Sequence, residues 1–387
     1  MRTVGVEEEL LLIDRNNGEP RALSSAVLAR AAKDTAEKAE HAENSENAET
    51  EKQDCDYREP EDEAFERELH GQQLEFATQP RESMSDLADE VVRWRADAAR
   101  HAGDVGAAVA ALATSPLPVS PSVNTGRRFQ WMEEQFGLTT QEQLTCGCHV
   151  HVAVGSDEEG VAVIDRIRPW LPVLVALSSN SPFWQGHDSL YSSYRSRVWG
   201  RWPMAGPTEI FGSAERYEQQ VQDMVATGVL RDRGMVYFDA RLSHRYPTVE
   251  VRVADVCLEA STTILIAALT RGLVETAARE WRAGRPPAAH GIALLRLAAW
   301  RAARSGLDDV LLHPVTMRPT PSGEVVQALI DHVREALEDS GDLDLVRTTA
   351  AGLLKGGNGA RVQRDILERT GSLGDVVTEC VRRTQAA

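Results

Sequence analysis

Three consecutive glutamates, Glu7, Glu8 and Glu9, interrupt an apolar run near the start of the chain, GVEEELLLID. Valines precede them and Leu10 to Ile13 follow them, which is the composition of a strand buried in a core. Side chains two apart on a strand share a face, so Glu7 and Glu9 point one way and Glu8 the other. Buried carboxylates that face each other need a compensating positive charge. The run therefore predicts a core strand with one acidic face, which is either the solvent face of an antiparallel sheet or a face that attracts a cation.

The stretch TCGCHVHVAV, residues 145–154, predicts a second strand because it alternates and is rich in valine. Alternation puts His149 and His151 on one face and Cys146 and Cys148 on the other. All four are zinc-type ligands, but the two types are separated and the spacing lacks the two-residue gap of zinc motifs. An exposed sheet face, satisfied core histidines and metal ligation are therefore all compatible with these histidines, and Cys148 is expected to be a small core residue.

The stretch PTVEVRVADV, residues 247–256, predicts a third strand. Glu250 and Arg252 share one of its faces, and valines fill the other. A cross-strand ion pair would explain these two residues alone. If the three strands lie in one sheet with their polar faces together, carboxylates, imidazoles and a guanidinium converge, and such an oxygen-rich cluster suits Mg²⁺ or Mn²⁺.

The rest of the chain predicts mixed helices and strands in one domain over residues 1–387, with no internal repeat or linker. A short strand is expected at 74–80, a helix from a Ser85 cap to Pro116, and another at 158–179. From Ser261 onward nearly everything reads as helix.

Most of the net charge of -17 lies in the first 90 residues, which hold 25 acidic and 10 basic side chains. The segment 34–66 carries much of this acidity and has few apolar residues, which predicts a flexible insert within the domain. An acidic arm that docks a basic partner is the alternative.

Several classes of protein are disfavoured by composition. No run approaches 18 apolar residues and the N-terminus is unlike a signal peptide, so a cytoplasmic protein without membrane spans is expected. No basic face supports nucleic-acid binding. Five scattered cysteines do not predict a disulfide framework. GGNGARVQRD, residues 356–365, lacks the Lys-Ser/Thr of a P-loop and fits a helix end and turn better.

Five blocks of the sequence resemble, in order, the glutamate–cysteine ligase type 2 family, the YbdK-like carboxylate–amine ligases. These blocks are GVEEELLLID, ELHGQQLEFATQP, GCHVHV, SPFWQG with YSSYRSRVW, and TVEVRVADV. The resemblance implies an α+β fold like that of glutamine synthetase, with a curved, mainly antiparallel sheet forming a funnel and helices outside it. It further implies ATP-dependent joining of the γ-carboxyl of glutamate to an amine through an acyl phosphate, with cysteine as the reference acceptor.

Carried over by motif, the resemblance implies six metal ligands for Mg²⁺ or Mn²⁺: Glu7, Glu9, Glu68, Glu75, His149 and Glu250. Arg252 would be the catalytic residue beside the phosphoryl-transfer centre. Tyr194 and Arg195 fall where the family binds the substrate carboxylate.

The resemblance also extends to a basic block near the C-terminus, which implies nucleotide contacts from Asn358, Arg361 and Arg364. The implied partners are small-molecule substrates, and a homo-oligomer is compatible with the family.

Two other functions stay open on the residues alone. A metal-dependent hydrolase could use the histidines and carboxylates, and would bind zinc tightly. A non-catalytic binding protein could dock a partner through the acidic segment, although an intact ligand set argues against a decayed enzyme.

Overall fold

The computed structural model describes residues 1–46 and 65–386. Its strands are β1 (Val4–Asp14), β2 (Phe65–Glu66), β3 (Gln73–Ala77), β4 (Ala107–Ala110), β5 (Gly147–Ala153), β6 (Phe183–Trp184), β7 (His187–Asp188), β8 (Ala240–Leu242), β9 (Thr248–Asp255), β10 (Val310–Leu312) and β11 (Pro319–Pro321).

The helices begin with α1 (Ser24–Glu46), α2 (Met84–Asp104), α3 (Arg127–Phe136), α4 (Leu138–Gln141), α5 (Asp157–Ile167), α6 (Leu171–Ser178), α7 (Arg195–Trp199) and α8 (Ala214–Ala226). They continue with α9 (Ala260–Arg282), α10 (Ile292–Ser305), α11 (Ser322–His332), α12 (Arg334–Ser340), α13 (Leu343–Gly356), α14 (Gly359–Thr370) and α15 (Leu373–Thr384), and a 3₁₀ turn spans Arg233–Met235.

Strand β1 lies at the centre of a seven-stranded sheet. The order is β2-β3-β1-β5-β9-β8, with β4 also paired to β1, and every strand pairing in it is antiparallel. The first half of β1 pairs with β5 and its last residues with β4, while β3 runs along the other edge. Strand β1 therefore has a partner on each edge, and its apolar residues on either side of the glutamates, Val4, Val6 and Leu10 to Ile13, are all buried.

The three strands predicted from alternation are adjacent, and their polar faces coincide. Glu7 lies opposite His149, and His151 lies opposite Glu250. Glu9 lies opposite Glu75 of β3. The predicted convergence of carboxylates, imidazoles and a guanidinium is confirmed by this register.

Helices cover the other face of the sheet. Helix α9 is buried along most of its length and packs against α2, α5, α12 and α13. Glu8 points into this layer, where both of its oxygens accept hydrogen bonds of 2.8 Å from Arg95 of α2. Thr263 of α9 donates a further bond of 2.6 Å to Glu8. The middle glutamate is therefore a buried partner of a helix.

The helix expected from Ser85 to Pro116 is shorter than predicted. The cap is Ser83, the helix ends at Asp104, and Ala107–Ala110 form β4 instead. Gly106 has a φ of +78°, which turns the chain back, and the alanines complete the hydrogen bonds of β1. Alanine has a high intrinsic propensity for helices. The pairing with β1, a tertiary contact, therefore explains why these residues form a strand.

The helix expected over residues 158–179 is two helices, α5 and α6. Pro172 lies in the first turn of α6, where proline is tolerated because no backbone donor is needed there. Beyond Ser261 the chain is largely helical, as expected, apart from the β10–β11 hairpin.

The acidic segment 34–66 is described only at its ends. Helix α1 continues through residue 46, and Phe65–Glu66 form β2 beside β3. The predicted flexible insert otherwise falls on residues 47–64, outside the described part of the chain. Within the described residues, no helix combines the length and apolar character needed to cross a membrane.

Candidate active site

The polar face of the sheet lines a cavity of about 500 Å³. All six predicted metal ligands and the predicted catalytic arginine line it: Glu7, Glu9, Glu68, Glu75, His149, Glu250 and Arg252. We call this cavity the acidic funnel. Residues from four neighbouring strands, separated by up to 245 positions in the chain, thus meet in one place because the register aligns their polar faces.

Glu7 links the two histidines of β5. His149 Nδ1 lies 3.1 Å from one of its oxygens, and His151 Nε2 lies 3.1 Å from the other. Burial acts to raise the pKa of Glu7, but the charge of His151 and the hydrogen bonds of both histidines hold it well below the usual value. His149 Nε2 is buried and has no hydrogen-bond partner within residues 1–46 and 65–386. This imidazole therefore has a free ligand atom facing away from Glu7.

Glu9 and Glu75 face like charges, which the charges of Arg195 and Arg252 offset only partly at Glu9. Burial and then the charge of Glu68 raise the pKa of Glu9 to about 7, although the Gly147 N–H donates to it at 2.6 Å. Burial, followed by repulsion from Glu68, Glu7 and Glu9, raises the pKa of Glu75 well above its usual value. A bound cation would remove this repulsion.

Glu250 is compensated by arginines. Arg241 of β8 donates to both of its oxygens at 2.7 and 3.1 Å, and Arg252 pairs with it as well. Burial favours the neutral carboxyl group, but Arg252 and Arg241 hold the pKa of Glu250 far below its usual value. Glu250 and Arg252, predicted to share a face, do so.

Two funnel residues that pair directly with predicted metal ligands, Arg241 and His151, were not predicted as site residues. Arg241 lies on the three-residue edge strand β8, directly opposite Glu250. A strand of three residues is too short to show an alternating pattern. Its pairing register with β9, which reveals the contact with Glu250, cannot be read from the sequence. His151 shares a face with His149, which the alternation had indicated.

The donor atoms fit a divalent cation with oxygen and imidazole ligands. Two groups have ligand atoms within 4.8 Å of one another: Glu7, His151 and Glu250, and Glu7, Glu75 and His149. Mg²⁺ and Mn²⁺ accept such carboxylate-rich sets, whereas structural zinc sites use thiolates. Cys148 is buried on the opposite face of β5, and its pKa is raised well above the usual value by burial and by its neighbours Cys257 and Glu8. The cysteines and histidines are separated as predicted.

Arg195 and Tyr194, predicted to bind the substrate carboxylate, are not among the residues that line the funnel, and Arg195 lines a neighbouring cavity instead. Arg195 is 1% exposed, and its Nε and Nη2 have no hydrogen-bond partner among the residues that the structure describes. Its guanidinium lies over the ring of Trp199, 5.5 Å from the centroid. Tyr194 packs against Trp184 and Tyr191 instead. A buried, unpartnered guanidinium is suited to a carboxylate ligand.

The predicted nucleotide residues lie apart from the funnel lining. Asn358 caps α14, and its side chain donates to the Ala176 carbonyl at 3.0 Å. Arg361 pairs with Asp308, and Arg364 pairs with Asp188 at 2.7 Å. These contacts hold the C-terminal helices, and a nucleotide role for the three residues stays a prediction.

Comparisons with known proteins identify relatives over the whole chain. A family model described as glutamate–cysteine ligase family 2 matches residues 3–379. A Streptomyces avermitilis protein, provisionally named glutamate–cysteine ligase 2-1, is 67% identical over 385 residues, covering 100% of both chains. A Streptomyces coelicolor protein, provisionally named glutamate–cysteine ligase 2, is 64% identical over 387 residues, again covering 100% of both.

Solved structures show the same fold. The glutamate–cysteine ligase of Francisella tularensis in complex with AMP matches with a TM-score of 0.67 and 11% identity, covering 100% of this chain and 89% of that one. A bifunctional glutathione synthetase from Pasteurella multocida matches with a TM-score of 0.66 and 12% identity, over 99% of this chain and 52% of that one. These likenesses confirm the expected α+β fold class, with a mainly antiparallel sheet and helices outside it.

Proposed function

Because the chain belongs to glutamate–cysteine ligase family 2 and is a carboxylate–amine ligase, we propose that it uses ATP to join the γ-carboxyl group of glutamate to an amine, with cysteine as the first acceptor to test. The observation that carries the proposal is the acidic funnel, where Glu7, Glu9, Glu75 and Glu250 face two histidines on one sheet. The repulsion around Glu9 and Glu75 is only partly compensated within the protein, so the cluster favours a metal-dependent function.

The chemistry to be performed requires charge neutralisation. A carboxylate is a poor electrophile, and it becomes reactive when it takes the γ-phosphoryl group of ATP as an acyl phosphate. Two anions must meet for that step, and positive charge must stabilise the oxygens of the transferred group. The amine then attacks the acyl carbon and phosphate leaves.

Acidic and imidazole side chains of the funnel would bind the cations that neutralise the phosphate. Glu7, Glu75 and His149 would hold one cation, and His151 and Glu250 would share Glu7 with a second. When bound, Mg²⁺ or Mn²⁺ supplies the positive charge that aligns and neutralises phosphate oxygens.

Arg252 is placed to contribute a fixed positive charge to the same space. Arg252 is 8% exposed and lines the funnel, and its buried Nε has no hydrogen-bond partner in the described part of the chain. Glu250 fixes its orientation. An N–H that has no partner within the protein is available for a transferring phosphoryl oxygen.

Arg195 is the proposed carboxylate site for glutamate. It is buried beside Gly147, whose N–H binds Glu9, so a ligand on Arg195 would lie next to the funnel. Its planar guanidinium can bind a carboxylate through two hydrogen bonds.

The test is release of ADP from ATP and Mg²⁺, measured with glutamate and a panel of amines that includes cysteine. We expect glutamate-dependent release that increases with one acceptor. Glu7→Gln should lower the rate by at least 10³-fold, the order expected when a transition-state contact is lost, while Glu82→Gln, an exposed glutamate of the same charge, should match the wild type.

Binding of the metal is measured separately from the reaction. Mn²⁺ should raise the melting temperature of the wild type and of Glu82→Gln, and should fail to do so in Glu7→Gln. Full activity in a folded Glu7→Gln variant would refute the metal site, and no ADP release with any acceptor would refute the proposed reaction.

A further inference from the structure

A buried carboxylate lies at the end of strand β9, beyond the funnel. Asp255 is the last residue of this strand, is 1% exposed, and lies opposite Gly147 of β5 in the sheet register. Unlike Glu250 and Arg252 of the same strand, Asp255 does not line the funnel. A buried carboxylate is costly unless donors satisfy it, so its partners indicate the role of Asp255.

Three donors bind the two oxygens of Asp255. The Ser193 hydroxyl donates to Oδ1 at 2.8 Å. The Ser181 hydroxyl donates to Oδ2 at 2.7 Å, and the backbone N–H of Asn180 donates to the same oxygen at 2.8 Å. Burial raises the pKa of Asp255, while the charge of Arg195 and these three donors oppose that effect. Because an ionised carboxylate only accepts hydrogen bonds, both hydroxyl protons point at Asp255.

The two serines connect Asp255 to helix α7. Each hydroxyl gives its proton to Asp255 and keeps its lone pairs for a backbone donor. The Ser181 oxygen accepts the Arg195 N–H at 2.9 Å. The Ser193 oxygen accepts the Ser196 N–H at 3.4 Å, which is the longer of the two bonds. N–H groups in the first turn of a helix have no partner within that helix, so the two hydroxyls satisfy the start of α7.

The Arg195 guanidinium depends on its backbone for its position. Its Nε and Nη2 make no hydrogen bond with the residues that the structure describes, so packing alone holds these two atoms. The guanidinium lies over the ring of Trp199 and beside Gly147, the residue opposite Asp255. A shift in the first turn of α7 would therefore move the guanidinium relative to the strand that supports it.

We propose that Asp255 is a positioning residue, which acts through Ser181 and Ser193 to hold Arg195 where glutamate binds. The γ-carboxyl group is the one that reacts, so Arg195 would bind the α-carboxylate. The connection from Asp255 to α7 is made by the hydrogen bonds alone, whereas the ligand on Arg195 rests on the proposed function.

Asparagine at position 255 would break this connection at nearly equal volume. Its side chain has one oxygen that accepts and an NH₂ group that only donates. At least one serine would then lose its acceptor, and its hydroxyl would no longer be oriented to accept the N–H of α7. A buried polar group left without its partner is costly, so the first turn of α7 should move or open.

The connection to α7 is tested by hydrogen–deuterium exchange at the N–H groups of Arg195 and Ser196. Asp255→Asn should accelerate this exchange at least tenfold. The control is Asp165→Asn on α5, since Asp165 is 2% exposed and accepts two backbone N–H groups at 2.8 Å, those of Phe211 and Gly212. This control also leaves buried donors unpaired, but exchange in α7 should stay at the wild-type rate. Wild-type exchange in Asp255→Asn would overturn the proposal.

The effect on the ligand is tested by calorimetric titration with Mg²⁺ present. L-Glutamate is compared with 4-aminobutyrate, which keeps the γ-carboxylate and lacks the α-carboxylate. The wild type and Asp165→Asn should bind glutamate at least tenfold more tightly, and in Asp255→Asn this preference should fall below threefold. A merely structural role for Asp255 would weaken both ligands equally. An unchanged preference in Asp255→Asn would therefore overturn the proposal, as would a wild type that binds neither ligand or both equally.

A double variant tests whether Asp255 acts through Arg195. The quantity compared is kcat/KM for glutamate in the ADP-release assay, which needs no saturation. Asp255→Asn should lower it at least tenfold in the wild type and less than twofold in an Arg195→Ala background, because the effects of two residues that act as one unit do not add. A further tenfold loss in the double variant would show that Asp255 acts elsewhere.

Ser181→Ala provides the test if Asp255→Asn does not fold, because it keeps the carboxylate and removes one hydroxyl. It should weaken glutamate binding at least threefold and leave 4-aminobutyrate unchanged. Its matched control is Ser179→Ala, which removes a fully buried hydroxyl that donates to the Val175 carbonyl at 2.7 Å. Equal glutamate binding by the two serine variants would overturn the proposal.

Failure of the ligase reaction would look different from failure of the positioning role. A wild type that releases no ADP with any acceptor, but prefers glutamate in a manner that depends on Asp255, would refute the ligase and keep the role of Asp255. An active Asp255→Asn enzyme with wild-type kcat/KM for glutamate would refute that role and leave the ligase intact.

Discussion

Glu7, Glu8 and Glu9 are the same residue type in consecutive positions, yet each has a different electrostatic environment. Glu7 is held between two histidines, Glu8 is paired with Arg95 in the helical layer, and Glu9 faces other carboxylates. Alternation along β1 puts Glu8 on the face opposite Glu7 and Glu9, and the neighbours of each carboxylate determine whether its charge is compensated. The core strand thus carries acids for a different reason on each face: Glu8 pairs with a helix, and Glu7 and Glu9 line the funnel.

Replacement of Glu8 should destabilise the fold. Glu8 is fully buried and Arg95 is 2% exposed, so Glu8→Gln leaves a buried guanidinium without its counter-charge. Loss of one partner of such a pair costs about 3–5 kcal/mol. Urea unfolding should show this loss of free energy of unfolding for Glu8→Gln, with a much smaller loss for the neighbouring Glu7→Gln.

The double variant Glu8→Leu with Arg95→Met tests whether the unpaired charge of Arg95 causes the loss of stability. Because both charges are removed, it should recover much of the stability. If Glu8→Gln unfolds at the wild-type urea concentration, the buried pair does not contribute to stability.

At the scale of elements, β5 sets the position of Arg195. Gly147 begins this strand, and a Cβ atom built on it would lie 2.2 Å from Arg195 Nη2. The same residue donates its N–H to Glu9. Gly147 therefore contacts both Glu9 of the funnel and Arg195, and the absence of a side chain there leaves room for the guanidinium.

Gly147→Ala should displace Arg195 and impair binding of glutamate. The added methyl group overlaps the guanidinium, and misplacement of a substrate-positioning group by about 1 Å can lower the rate on the order of 10²-fold. We expect the loss in kcat/KM for glutamate. Gly155→Ala, just beyond the same strand, meets only ordinary contacts and should be near wild type. Equal activity of the two variants would contradict the role assigned to Arg195.

At the scale of the whole molecule, a buried histidine links stability to pH. His70 is fully buried beside β3, and its Nδ1 lies 3.3 Å from the Gln73 side-chain oxygen. Burial lowers its pKa to about 4, whereas the unfolded chain would titrate it near the usual value of about 6.5. The unfolded state therefore takes up the proton first as the pH falls.

The contribution of His70 to stability is complete above about pH 6.5 and is lost as the pH falls toward 4. The slope reaches about 1.4 kcal/mol per pH unit between those values. His70→Asn, which keeps a donor without a titrating ring, should lose less free energy of unfolding between pH 7.5 and 5.5 than the wild type. His187→Asn, an exposed site, serves as control, and equal losses in all three proteins would disprove this linkage.

Much of the site could be predicted before the fold was known. Period-two alternation assigned Glu7, His149 and Glu250 to polar strand faces, and the order of the motif blocks identified the family. Local patterns did not predict elements that depend on tertiary contacts. Residues Ala107–Ala110 were predicted to be helical, but they form a strand through pairing with β1. Arg241 was missed for the same reason, since its three-residue strand has meaning only opposite Glu250.

By itself, the sequence determined which side chains share a strand face and which family the chain belongs to, because both are properties of order along the chain. Only the tertiary structure decided which faces meet. It placed Glu8 against Arg95 and Glu9 against Glu75, and it brought Arg241 opposite Glu250. Register and packing set those distances, and distance governs whether a charge is compensated or left free for a ligand.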